Sequence, residues 1–165
     1  MIRGLAIVVG TVFISANLAG QDKQIGDFHV VMDTDALDDT NRSSVLTIAL
    51  ETSVTRSAAM GWKCMADGLN VIIVFDTYFG GDSDDDIFVR YRIDQSPASS
   101  TQYWRLLQGN ESAYMPMKQV SSFTAAAKQG RKLVVRVTDP LDGETYEDEF
   151  SLNGLAAALS VIEPC

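Results

Sequence analysis

The pattern of apolar and polar positions along the chain changes period in a way that separates strands from helices. Residues 27–32 predict a short strand, and 33–44, rich in Asp, a loop. Residues 45–51 alternate β-branched and apolar side chains and predict a second strand, and 62–65 a third, closed by the turn Ala66-Asp67-Gly68. Residues 70–78 are almost continuously apolar, the pattern of a strand covered on both faces. In 87–94, Ile87, Val89, Tyr91 and Ile93 fall on one face, and Phe88, Arg90, Arg92 and Asp94 on the other. The first set is the expected core face. Residues 102–107 predict a further strand carrying Trp104, and Gly109-Asn110 a turn before 113–116.

The period then shifts to that of a helix. Over 118–129, Val120, Phe123, Thr124 and Ala127 share one helical face, and Gly130 is a stop signal. Residues 132–138 return to strand, with Leu133, Val135 and Val137 opposed to Lys132, Val134 and Arg136. The turn Asp139-Pro140-Leu141-Asp142-Gly143 leads into 145–152. A hairpin pairing Val137 with Tyr146 and Leu133 with Phe150 places Arg136 opposite Glu147, a favourable cross-strand pair. Residues 155–162 predict a short helix whose alanines allow close packing. The sum is an α+β, β-rich chain: an antiparallel sheet or sandwich-like domain over 21–165, with one short helix between strands and one at the C-terminus.

Residues 1–20 stand apart from this pattern. Arg3 precedes an apolar run over 4–14, followed by small and polar residues over 15–20, the layout of a secretory signal peptide. The run is short of the roughly 20 apolar residues that span a bilayer, so cleavage is expected rather than anchoring. The expected location is periplasmic or secreted, with no membrane span after cleavage. In an exported chain the pair Cys64 and Cys165 favours one internal disulfide over two separate thiols or a dimer linked through Cys165. Charge narrows the partners. Acidic residues outnumber basic ones 22 to 13, giving a net charge of −9, which suits neither nucleic acid nor anionic lipid, because phosphate binding rests on Lys and Arg.

Catalytic chemistry has little to stand on. His29 is the only histidine, no Ser lies in Gly-x-Ser-x-Gly, and no Cys/His cluster has zinc spacing. Glu147 and Glu149 share a strand face, but glycosidase carboxylates must straddle a substrate rather than sit side by side. No enzyme and no obligatory cofactor is therefore expected. The loop carrying Asp82, Asp84 and Asp86 offers alternating carboxylates to Ca²⁺, yet the sixth and twelfth positions from Asp82 are Ile87 and Ile93, where an EF-hand needs Gly and Glu. The loop with Asp35, Asp38 and Asp39 is no more specific. Arg90, Arg92 and Arg136 are the candidate partner-binding group, a basic stripe on an acidic chain if their strands are neighbours. The competing expectation is that Asp94, Glu147 and Glu149 neutralise them.

Several stretches in order carry a family likeness. They are Leu37-Asp38-Asp39, Cys64 ahead of an apolar strand, Tyr78-Phe79-Gly80-Gly81-Asp82, Val89-Arg90-Tyr91-Arg92-Ile93-Asp94, Trp104, Leu133-Val134-Val135-Arg136-Val137, and Phe150-Ser151-Leu152-Asn153-Gly154-Leu155 before a terminal Cys165. In these the chain resembles the VasI/TagO family of exported proteins associated with the type VI secretion system. It departs at 34–39, where a Ser-Pro-Leu-Asp-Asp type of segment is expected, and in the Asp84–Asp86 run. The resemblance implies a periplasmic accessory or interaction protein, assisting assembly of the secretion apparatus through envelope protein partners, and transfers no catalytic residue. The alternative is a stand-alone periplasmic binding module for a small ligand, calcium or cell-wall glycan.

Overall fold

The computed structural model describes residues 22–51 and 56–165; the leader expected over 1–20 lies outside them. Ten antiparallel strands form one sheet. In chain order they are β1 (Asp22–Ile25), β2 (Phe28–Val31), β3 (Ser44–Ile48), β4 (Ala59–Met65), β5 (Gly68–Val74), β6 (Asp86–Ile93), β7 (Gln102–Leu106), β8 (Ser112–Tyr114), β9 (Lys132–Thr138) and β10 (Thr145–Ser151). Helix α1 (Met117–Ala127) lies between β8 and β9, and α2 (Leu155–Ile162) follows β10. Spatially the strands run β1-β2-β3-β4-β5-β8-β7-β6-β9-β10.

The sheet curls on itself. The Leu50 N–H, just beyond β3, donates to the Glu149 carbonyl of β10 at 2.8 Å. Beside that seam Arg56 pairs with buried Asp148 at 2.5 Å and lies 4.6 Å over the Tyr146 ring. The concave side takes the alternate apolar residues of the strands and one face of each helix. Trp62 of β4 stacks on Phe123 of α1, and Phe123 meets Tyr91 of β6 edge-on at 4.9 Å. Helix α1 therefore fills the space between two distant parts of the sheet. Its buried face is Val120, Phe123, Thr124 and Ala127, the face that the 3.6 period predicts. The buried Trp62 indole N–H donates to Thr124 Oγ1 at 3.0 Å, satisfying a polar atom that is otherwise expensive to bury. Each such large apolar side chain taken out of water contributes about 1.5–3 kcal/mol.

Helix α2 buries Leu155, Ala158, Leu159 and Ile162. Its start meets the β1–β2 turn so closely that a Cβ on Gly26 would lie 2.4 Å from the Asn153 carbonyl oxygen. At its end the sulfurs of Cys64 and Cys165 are at bonding distance, 2.00 Å, and Asn41 Nδ2 donates to the Ile162 and Pro164 carbonyls.

Two expectations change. The 70–78 run is not covered on both faces: Val71 and Ile73 are fully buried, but Val74 on the opposite face is 40 % exposed. Among the described residues the helices pack on one side of the sheet and no second layer covers the convex side, and the apolar run reflects strand preference as well as burial. Residues 112–114 are not merely the end of a turn; as β8 they join β5 to β7 in the middle of the sheet. Among the described residues no helix is long and apolar enough to cross a membrane.

Candidate functional site

Strand β6 positions the site. Its alternation sends Ile87 and Val89 into the core and leaves Phe88, Arg90 and Arg92 on the convex face. The neighbour on one side is β9, in a register that sets Arg90 directly opposite Arg136 and Arg92 opposite Val134. Strand β10 continues the rows, with Glu147 opposite Arg136 and Glu149 opposite Val134. The three arginines that the sequence singled out thus share one patch of surface.

Neutralisation is uneven across it. Arg136 forms a two-pronged pair with Glu147, at 2.6 and 3.0 Å. Glu149 is taken by Lys132 at 2.9 Å. Asp94, expected to serve an arginine, instead accepts the backbone N–H groups of Arg131 and Lys132 at 3.1 and 2.9 Å. Its backbone turns at a positive φ of 50°, which ends β6 and aims the carboxylate at the next strand. Among the described residues neither Arg90 nor Arg92 forms an ion pair. Arg90 is steadied by its Nε donating to the Ser99 carbonyl at 3.1 Å. The 96–99 segment is held there by Ser99, whose N–H donates to the Tyr91 carbonyl and whose Oγ accepts the Tyr91 N–H.

The arginines ring a shallow depression of about 190 Å³, completed by Ala98, Val134, Tyr91 and Glu147. Its lining combines aliphatic side chains, Val134 and Ala98, with the guanidinium groups. Burial pushes the Tyr91 phenol above its ordinary value. On the far side of Arg90, Phe88 and Tyr103 are register partners across β6 and β7 and touch edge-on at 5.3 Å. Tyr103 is 56 % exposed. Sequence reasoning placed Phe88 on the arginine face but missed this aromatic pair, because the β6–β7 register cannot be read from either strand alone.

The acidic loop is occupied with its own backbone. Asp82 Oδ1 accepts the N–H groups of Asp84 and Asp86 at 2.9 and 3.0 Å, and these bonds hold its carboxyl below the ordinary value. Asp86 pairs with Arg105 at 3.0 Å. Among the described residues no group of three acidic, His or Cys side chains is placed to hold a metal ion. Glu147 and Glu149 are engaged with Arg136 and Lys132, and His29 is exposed on β2. Compared with known proteins, the chain matches no family model, no curated protein and no solved structure.

Proposed function

We propose that this protein is an exported accessory protein of the cell envelope that holds an acidic protein partner on the Arg90, Arg92 and Arg136 face. The observation that carries the reading is the direct cross-strand opposition of Arg90 and Arg136. Like charges in that relation destabilise a sheet, and Glu147 compensates only one of the two. A carboxylate from outside relieves the other. A local arrangement that works against stability, on a surface feature, is the kind of exception that function explains.

The size of the depression supports a protein partner over a free small ligand. About 190 Å³ accommodates a side chain, whereas pockets for small molecules usually run to roughly 300–1,000 Å³. The overall charge of −9 makes the exception sharper, since most of the chain repels the acidic partner that this patch attracts. The family resemblance supplies the setting, assembly of a type VI secretion apparatus, as part of the same proposal.

The test is cross-linking of the tagged protein in its native host, beside the double variant Arg90→Glu/Arg92→Glu. Both side chains are on the surface, and Arg90→Glu replaces a like-charge opposition to Arg136 with an opposite-charge one, so the variant should melt no lower than the wild type. Recovery of secretion-apparatus subunits by the wild type and not by the variant is the expected result. A partner outside that apparatus, lost in the variant, removes the secretion role and keeps the docking face. Equal recovery by both proteins overturns the docking face itself.

A further inference from the structure

We infer that the docking face reads an extended acidic segment with an apolar anchor, in the order apolar, acidic, acidic at alternate residues; this rests on the arginine face being the docking surface. Side chains stand in rows on the convex side of β7, β6 and β9. Along β6, Phe88, Arg90 and Arg92 stand in line, one every second residue, roughly 6.5–7 Å apart. Each has its neighbour across the ladder: Tyr103 beside Phe88, Arg136 beside Arg90, and Val134 beside Arg92. The face thus offers an exposed aromatic step, then a pair of guanidinium groups, then a guanidinium beside an aliphatic residue.

An extended chain laid along β6 has the same repeat on its own inward face. Its first inward side chain meets the Tyr103 and Phe88 edge pair. Its third and fifth residues meet Arg90 and Arg92. The depression beside them, lined by Val134 and Ala98 together with the arginines, fits a glutamate, whose aliphatic stem and carboxylate head match that mixed lining. Exposed Tyr beside Arg is also the composition that dominates binding energy at protein interfaces. The backbone of β6 is already paired with β9 on one side and with β7 and the 96–99 segment on the other, so recognition runs through side chains. The order of residues then matters more than the strand character of the partner.

Two labelled synthetic peptides of identical composition test this by fluorescence anisotropy with the purified protein. In one, Trp and two Glu alternate with Ser in the order Trp-Ser-Glu-Ser-Glu; in the other the two Glu are adjacent and the Trp is displaced. The alternating peptide should bind about tenfold more tightly. Tyr103→Ala should remove about that factor for the alternating peptide alone, while Tyr103→Phe, which keeps the ring, retains it. Equal affinity for the two peptides, no binding of either, or indifference to Tyr103→Ala overturns the inference. If Arg90→Glu/Arg92→Glu abolishes binding while Tyr103→Ala leaves it unchanged, the arginine face stands and the aromatic anchor falls.

Discussion

Asp139 illustrates how single residues in this protein combine charge with burial. It is 4 % exposed, and its carboxylate accepts the backbone N–H groups of Gly80, Gly81 and Leu141 at 2.5, 3.2 and 2.9 Å. Three donors from two loops converge on one side chain, so it stitches the segment after β5 to the β9–β10 turn. Asp139→Ala should leave buried donors unsatisfied and lower unfolding stability by about 1–3 kcal/mol. An unchanged urea midpoint would contradict that. In the sequence Asp139 reads only as the first residue of a turn; its second role depends on a contact 59 residues away. Arg90 shows the reverse. Its outward direction follows from alternation alone, but its opposition to Arg136 needs the register of β6 on β9, strands about forty residues apart in the chain.

At the scale of elements, local pattern and structure agree best where the pattern is long. Strands β9 and β10 pair as the hairpin reading requires, Val137 with Tyr146 and Leu133 with Phe150, because turn chemistry and alternation both select that register. Helix α1 is legible for the same reason. Strands β1 and β8, of four and three residues, carry too little periodicity to announce themselves and are extended because neighbours pair with them. Helix α2 is eight residues long, too short to hold its shape alone. It is fastened at its end by the Cys64–Cys165 bond, which closes a separation of 101 residues, and by Lys128 pairing with Glu163 at 2.8 Å. Cys64→Ser/Cys165→Ser should lower stability by about 2–5 kcal/mol. Hydrogen exchange should show 155–162 losing protection before the central strands do. Uniform loss across the chain would indicate that α2 is held by packing instead.

At the scale of the molecule, the decisive feature is the seam at which the curled sheet returns to its own edge. Asp148 faces inward there at 5 % exposure, and Arg56 is its counter-ion. Arg56→Met strands a buried carboxylate, and the expected loss is about 3–5 kcal/mol by chemical denaturation. The double variant Arg56→Met/Asp148→Leu, which removes both charges, should recover most of it. If the single variant is neutral, the seam is held by the backbone and the ring contacts alone. The same curvature makes the proposed docking face. By turning the buried face inward around both helices, it leaves the aromatic and arginine rows of β7, β6 and β9 on the opposite face, in alignment.

Composition, alternation and turn signals by themselves determined the class of this protein: a β-rich antiparallel chain with two short helices, the inward set of β6, the helical faces, and the identity of the three arginines. Those properties are local, set by side-chain period and backbone preference over a few residues. Only the tertiary structure decided the order of strands in the sheet, the closing seam, the coverage of β5 on one side alone, and which carboxylates reach which arginines. These depend on register between distant strands and on a backbone turn at Asp94. A shift of one residue in either would reverse the faces and disperse the site.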